Sequence, residues 1–365
     1  MSTPPRGEGW RPGDPHGSGP PWQQGPWLHP PGPPPPTGNG LKWLLGAVAV
    51  LLVIAIAVGI TVIVMSRGGD SGPAASPTGA VSDIASANDT GPVSIITSEP
   101  TCSRLVSISN SLLDIQKQGW GDLRASLGPA SEWTSDQRQT VEAVGTAMRN
   151  AADQSIDLLK QTPHRVLREL YEQFVVYGRA YADNIQDYSP SDDALASANV
   201  NAGSAIIGIC NTITYGSASR GVAMEAVAKP TKVASIGDPA NPERFIKGDA
   251  DSTCTDWIGR LDQFNERTTQ WADADPSTPA SDWNSDRRVL EQSVQPLIRD
   301  YAGDVEALGR ESQNPILADF AGSAALYLRA YLTVGSNYTL ADGWLSSVGF
   351  KFANLVSGAC RAAAR

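Results

Sequence analysis

The chain has few of the residues on which most enzyme sites depend. It contains three histidines and four cysteines in 365 residues, and two of the histidines, His16 and His29, lie in the first 40 positions. His164 is therefore the only histidine in the remainder. No G-x-S-x-G, P-loop, H-E-x-x-H or G-x-G-x-x-G motif occurs. These absences argue against the common hydrolases and nucleotide-binding enzymes, and the sequence predicts a protein that is not an enzyme and carries no cofactor.

The four cysteines lack the close spacing of a zinc site. Cys102, Cys210, Cys254 and Cys360 are far apart in the sequence, and no two of them form the C-x₂-C pair that zinc ligation favours. An even number of cysteines on one side of a membrane segment indicates disulfides and an oxidising compartment. The sequence therefore predicts two disulfides and no metal site.

Two N-terminal stretches lack apolar residues and charge, respectively. Residues 1–41 are rich in proline and glycine and cannot bury enough apolar surface to fold, which predicts a disordered tail.

Residues 43–66 carry no charge and are mostly Leu, Val, Ile or Ala, and a membrane-spanning helix needs about 20 such residues. A buried core helix is rarely this uniformly apolar. A cleaved signal peptide would begin nearer the N-terminus and end in an A-x-A-like site, so the pattern predicts an uncleaved transmembrane anchor at residues 42–67.

The orientation of this anchor follows from the cysteines, because the flanking charges of Lys42 and Arg67 balance each other. All four cysteines follow the anchor, so residues 71–365 are predicted to be extracytoplasmic and the tail cytoplasmic, in a single-pass protein of the plasma membrane. Residues 1–70 resemble actinobacterial single-pass cell-envelope proteins with a Pro/Gly-rich cytoplasmic tail. This resemblance implies an envelope location. It is limited to residues 1–70, and the sequence analysis identifies no family for the residues that follow.

The extracytoplasmic part is acidic, with 35 Asp and Glu residues against 24 Lys and Arg. This excess of negative charge argues against nucleic acid as a partner and against docking on an anionic membrane surface. The expected partners are the membrane through residues 43–66, a protein outside the membrane, and a cytoplasmic protein that recognises the PxxP spacings of the tail.

An ungapped internal repeat organises the rest of the chain. Residues 133–210 align with residues 283–360, and 19 of the 78 aligned positions are identical. A duplicated unit of this kind, about 110 residues long, is large enough for its own core, which predicts two domains rather than a solenoid. The predicted division is a linker at 68–100, repeat unit 1 at 101–215, a linker at 216–252 and repeat unit 2 at 253–365.

Apolar residues recur with helical spacing in both copies and rarely alternate as in strands. The predicted fold is all-α, with two tandem, duplicated four-helix up-down bundles after a single transmembrane helix. In such a bundle the first helix begins at the end where the fourth finishes. Four cysteines allow three pairings, and the repeat favours Cys102–Cys210 with Cys254–Cys360, so that one disulfide closes each bundle.

A Trp-[Thr/Asn]-Ser-Asp-x-Arg motif begins at Trp133 and again at Trp283. Thr134 and Asn284 are favourable N-cap residues, so we interpret the motif mainly as a helix start in which the arginine covers the indole, and otherwise as a binding loop.

A second motif, Tyr-x-Arg-Ala-Tyr, also occurs in both copies. Its two tyrosines are four residues apart and continue the apolar stripe of a helix, which favours a structural role. An arginine flanked by tyrosines also suits a ligand carboxylate or phosphate. The candidate ligand-binding residues are therefore Tyr177, Arg179, Tyr181, Tyr327, Arg329 and Tyr331.

These observations favour a membrane-anchored extracytoplasmic helical protein of the cell envelope that works without catalysis, as a binding protein, scaffold or sensor. Two alternatives stay open: a small-ligand carrier with a pocket inside each bundle, and an extracytoplasmic hydrolase that uses carboxylates.

Overall fold

Three of the helices begin at a residue whose side chain caps the helix, namely Thr134, Asn284 and Asn314. The computed structural model describes residues 83–221, 227–247 and 251–364, which belong to one compact unit. All regular secondary structure in these ranges is helical, which confirms the all-α prediction for the part described. The predicted tail at 1–41 and the predicted anchor at 42–67 lie outside these ranges. No helix within them is both long and apolar enough to span a membrane.

Ten α-helices lie in the described part of the chain. Repeat unit 1 contains α1 (Cys102–Gln116), α2 (Trp120–Arg124), α3 (Ser135–Gln161), α4 (Arg165–Asn184) and α5 (Asp193–Thr214), and α6 (Ala218–Gly221) follows it. Repeat unit 2 contains α7 (Cys254–Ala272), α8 (Ser285–Glu311), α9 (Pro315–Val334) and α10 (Gly343–Ala363). Short 3₁₀ turns flank these helices at Ala130–Glu132, Ile185–Asp187, Pro190–Asp192, Ala280–Asp282, Gly335–Asn337 and Leu340–Asp342.

The two long helices, α3 and α8, start at the predicted caps. The Thr134 hydroxyl accepts a hydrogen bond from the Gln137 backbone N–H, and the Asn284 side chain does the same for the N–H of Arg287. Arg138 lies 5.4 Å from the ring centre of Trp133, as the motif predicts. In the second copy, however, Arg287 and not the equivalent Arg288 lies over the indole of Trp283, because the Arg288 Nε donates to the Trp283 carbonyl instead.

Within each repeat unit, helices that follow one another in sequence pack side by side. In repeat unit 1, α3 packs on α1 and α4, α5 packs on α4, and α1 also contacts α5. In repeat unit 2, the same contacts join α7, α8, α9 and α10. Buried residues of both units form one continuous hydrophobic cluster, so the two units share a core. The boundaries of the repeat units stay predictions from the sequence.

Both predicted disulfides are present. Cys102 pairs with Cys210 and Cys254 pairs with Cys360, with Cα atoms 5.5 and 5.4 Å apart. Each bridge ties the start of the first helix of a repeat unit to the end of its last helix.

Helices α5 and α10 form the main contact between the two units, and their contact has two-fold character. A Cβ atom on Gly208 would lie 2.7 Å from Val348, and one on Gly358 would lie 2.9 Å from the backbone of Ala198. Gly208 and Gly358 are equivalent in the repeat, and so are Ala198 and Val348. The same pair of positions therefore meets twice with the roles exchanged, as at the interface of a symmetric dimer.

Candidate functional site

The four tyrosines of the Tyr-x-Arg-Ala-Tyr motifs are buried on α4 and α9, with exposed fractions between 0 and 8%. The Tyr181 hydroxyl accepts a hydrogen bond from Trp120 Nε1, and burial raises the Tyr181 pKa to about 12. The Tyr327 hydroxyl accepts from the Ile96 backbone N–H, and the Tyr331 hydroxyl donates to Glu291. Three of the four hydroxyls therefore bind other parts of the protein.

The fourth tyrosine, Tyr177, has a different environment. Its hydroxyl is buried and has no hydrogen-bond partner among the described residues, while the Arg244 guanidinium lies 5.8 Å from its ring centre. Burial raises the pKa of this hydroxyl above the usual tyrosine value.

The two arginines of the motif each pair with a carboxylate of the preceding long helix. Arg179 Nη2 lies 2.6 Å from Asp153 on α3, and Arg329 Nη2 lies 2.6 Å from Glu306 on α8. Arg179 also donates to the backbone carbonyl of Ala240. The sequence analysis identified no acidic partner, because Glu306 is one helical turn beyond the position equivalent to Asp153. A ligand-binding role for the six motif residues stays a prediction.

Two segments without α-helix, which we call the first strap (residues 83–101) and the second strap (residues 238–247), pack across the repeat units. The Ile96 backbone of the first strap donates to Tyr327 of α9. The Val93 side chain packs so closely on Gly322 of α9 that a Cβ atom added to this glycine would lie 3.0 Å from it. The second strap exchanges two hydrogen bonds with Gln173 of α4, through the Glu243 carbonyl and the Phe245 N–H. The first strap, which precedes repeat unit 1, thus contacts α9 of repeat unit 2, and the second strap, which precedes repeat unit 2, contacts α4 of repeat unit 1.

Each strap is also held to the unit that follows it in sequence. A ring nitrogen of His164 forms a hydrogen bond with the Ser98 carbonyl of the first strap. The equivalent residue, Asn314, donates from its side chain to the Phe245 carbonyl of the second strap. His164 and Asn314, which differ but occupy equivalent positions, therefore each bind the strap that precedes their own repeat unit.

A buried ionic cluster lies where α4, α9 and the first strap meet. Arg165 donates from Nε and Nη2 to the two carboxylate oxygens of Asp319, at 2.7 and 3.0 Å. It also donates to the backbone carbonyls of Asp89 and Gly91 in the first strap. The side chains of Arg165 and Asp319 are only 2 and 3% exposed. One arginine therefore joins both repeat units and the strap.

Glu169 is the unusual member of this cluster. Its side chain is fully buried, and neither carboxylate oxygen has a hydrogen-bond partner within the described residues. Burial raises its pKa well above the usual value, and the nearby charge of Asp319 raises it further, while Arg168, 3.6 Å away, lowers it. Glu169 therefore holds its proton to a higher pH than an exposed glutamate does. Arg168 itself is held by Glu172 at 2.6 Å and by the Ser86 hydroxyl of the first strap.

Sequence reasoning did not identify this cluster, although one signal was available. Glu169 and Asp319 occupy equivalent positions of the repeat and interrupt the apolar stripes of α4 and α9. A carboxylate on a helix is usually solvated, so the sequence alone does not place these two acids in the core. The side chains of Glu169 and Asp319 are 0 and 3% exposed, and the described residues contain no group of three His, Cys, Asp or Glu side chains that could hold a metal ion.

Comparison with known proteins identifies relatives of the whole helical part. The family model described as "Mycobacterial ESX-1 associated protein" matches residues 84–364. A protein of Mycolicibacterium smegmatis (strain MKD8), described only as uncharacterized, is 42% identical over 348 residues, covering 93% of this chain and 91% of the relative. No solved structure gives a significant match. These matches correct the sequence analysis, which identified no family after residue 70.

Proposed function

The chain belongs to the family of mycobacterial ESX-1 associated proteins, and from this membership we propose that it is a non-catalytic binding protein of the cell envelope that takes part in ESX-1 secretion. In this proposal, residues 42–67 anchor the protein in the plasma membrane and residues 1–41 face the cytoplasm. The two duplicated four-helix units lie outside and act as a scaffold or sensor for protein partners.

The structural observation that carries the non-catalytic part of the proposal is that the buried acids are enclosed and the motif arginines are paired within the fold. Glu169 and Asp319 are enclosed at the junction of the repeat units, and Arg165 is committed to Asp319 and the first strap. Arg179 and Arg329 are paired with acids of the neighbouring helices. Acids enclosed in the core and arginines held in ion pairs are poorly placed to act on a substrate, which supports binding over catalysis.

The two disulfides support the extracytoplasmic placement of the helical part. Structural disulfides persist in oxidising compartments and are rare in the cytosol. Each bridge closes a long loop, with a sequence separation of 108 or 106 residues, and so stabilises the fold outside the cell's reducing interior.

In-cell crosslinking tests the binding function. A photoreactive amino acid placed at the exposed positions Val106, Tyr215 or Val289 of the full chain should crosslink to ESX-1 components in intact mycobacteria. Deletion of the gene should lower the secretion of ESX-1 substrates, and the wild-type gene should restore it. Normal secretion in the deletion strain, together with no crosslink to an ESX-1 component, would contradict the proposal.

Protease accessibility tests the topology separately. Protease added to intact spheroplasts should degrade residues 71–365 and leave the tail protected. Degradation of the tail with protection of the cysteine-containing part would show the opposite orientation.

A further inference from the structure

A small crevice opens between α1, α4 and α5 of repeat unit 1. Its walls are formed by Leu112 and Gln116 of α1, Phe174 of α4, and Asn199, Val200 and Gly203 of α5. The space available to the centre of a water molecule is about 10 Å³. This is close to the minimum that holds one water and far too small for a drug-sized ligand.

Two polar atoms of the crevice walls have no protein partner among the described residues. The side-chain Nδ2 of Asn199 donates to the Phe174 carbonyl at 2.7 Å, which establishes that Oδ1 is the free acceptor of this amide. Gln116 Nε2 is a free donor in the same crevice. Asn199 is fully buried and Gln116 is 8% exposed, so bulk solvent does not satisfy these atoms.

Repeat unit 2 fills the equivalent space differently. With α1 and α7 aligned on Cys102 and Cys254, Phe264 corresponds to Leu112, and in the ungapped repeat Phe350 corresponds to Val200. These two rings pack with their centres 5.1 Å apart. Gly349 corresponds to Asn199 and carries no side-chain acceptor.

The donor also differs between the two copies. Thr268, at the position of Gln116, donates its hydroxyl to the Phe264 carbonyl within its own helix at 2.8 Å. The polar donor and acceptor of the crevice are therefore specific to repeat unit 1.

From the pairing of a free donor and a free acceptor around a water-sized space, we propose that this crevice is a binding site for a single water molecule. The water accepts a hydrogen bond from Gln116 Nε2 and donates one to Asn199 Oδ1, and the hydroxyl of Ser109, which also lines the crevice, is available as a third partner. A buried water usually makes about three hydrogen bonds to such groups. This site is independent of the proposed role in secretion.

A crystal structure of the full chain in detergent tests the site directly. The expected result is one water peak within about 3.2 Å of both Gln116 Nε2 and Asn199 Oδ1. The absence of this peak, or a direct contact between the two side chains, would overturn the proposal.

A substitution gives a second test through the sign of its effect. Gln116→Met keeps the length of the side chain but removes the donor, so the water and its bond to Asn199 are lost. The melting temperature of the full chain should fall by about 2–4 °C. If the crevice is dry, the same change removes an unsatisfied buried donor, and the melting temperature should stay the same or rise.

The control is Gln292→Met, which makes the same chemical change at an exposed position of α8 and should leave the melting temperature within about 1 °C. The proposal requires both the water peak and the lower melting temperature of Gln116→Met relative to this control. Failure of either result contradicts it.

Discussion

At the residue scale, the repeated Tyr-x-Arg-Ala-Tyr motif combines buried tyrosines with arginines at the edge of the core. Arg179 and Arg329 are 27 and 33% exposed, and their acidic partners come from α3 and α8. An exposed ion pair usually contributes less than about 1 kcal/mol, but Arg179 also holds the second strap through the Ala240 carbonyl. These contacts favour the structural interpretation of the motif.

The first prediction concerns these arginines. Arg179→Ala should lower the free energy of unfolding by about 1 kcal/mol, because it removes an ion pair and a donor to the strap. Arg329→Ala should have a similar or smaller effect, because no strap carbonyl is bound there in the described contacts. Urea denaturation of the full chain measures both, with Arg267→Ala at an exposed position as the control. Unchanged or raised stability in both variants would favour a ligand site instead.

The second prediction concerns pH. Because the pKa of Glu169 is raised in the folded state, the folded protein keeps a proton that the unfolded chain releases above a pH of about 4.3. The stability that this proton contributes is complete below the unfolded pKa and is lost as the pH rises through the folded pKa. In this window the free energy of unfolding should fall by up to about 1.4 kcal/mol per pH unit from this group.

Glu169→Gln, which cannot ionise, should remove this loss. The free energy of unfolding, measured by denaturation at a series of pH values from about 5 to about 9, should decline less steeply in the variant than in the wild type. Glu132→Gln, at an exposed position, is the control and should follow the wild type. Parallel wild-type and Glu169→Gln curves would mean that Glu169 ionises normally and that Arg168 neutralises its charge.

At the scale of secondary-structure elements, equivalent carboxylates join the first and second long helices of each repeat unit through hydrogen bonds. The Glu99 carboxylate accepts hydrogen bonds from Thr101 and Thr162, and thereby joins the start of α1 to the end of α3. Asp251 makes the same connection in repeat unit 2, between α7 and the residue after α8. The adjacent disulfides reinforce these junctions, since Cys102 and Cys254 begin α1 and α7.

The third prediction concerns the disulfides. Replacement of both Cys102 and Cys210 by Ser should lower the free energy of unfolding by up to about 4–5 kcal/mol, because the unfolded chain loses a long closed loop. The matched variant of Cys254 and Cys360 should behave alike, since the two loops have nearly the same length. Denaturation of the full chain measures both. A loss below about 1 kcal/mol in either variant would indicate that the bridge adds strain that offsets its entropic effect.

At the scale of the whole molecule, the two repeat units are joined more closely than a simple tandem arrangement requires. They share one hydrophobic cluster, exchange their straps, and place a buried ion pair between α4 and α9. The sequence analysis predicts a unit large enough for its own core, whereas the described buried residues of both units form one cluster, so substitutions in the two units should affect each other.

The fourth prediction follows from this joint core. Arg165→Met should lower the free energy of unfolding by about 3–5 kcal/mol, because it leaves Asp319 as an uncompensated buried charge. Hydrogen exchange should become faster in α4 and in α9 together, although only α4 carries the substitution. The double variant Arg165→Met with Asp319→Leu should recover much of the loss, because it removes both charges. Faster exchange confined to repeat unit 1 would show that the units unfold separately.

The sequence by itself determined the helical class, the internal repeat, the caps at Thr134 and Asn284, and the pairing of the four cysteines. These features depend on local periodicity, on local hydrogen bonds and on the symmetry of a duplication, all of which are written along the chain. The sequence also shows that the copies differ at equivalent positions such as Val200 and Phe350.

Only the tertiary structure decided which polar residues meet. Arg165 and Asp319 are 154 positions apart, and Ile96 and Tyr327 are 231 positions apart. Neither pairing follows from periodicity, because each depends on how α4, α9 and the straps cross. The alignment of the copies also fails to identify the acidic partners of Arg179 and Arg329, because Glu306 lies one helical turn beyond the position equivalent to Asp153. Burial of Glu169 has the same origin, since a carboxylate is enclosed only when a second repeat unit covers the helix that carries it.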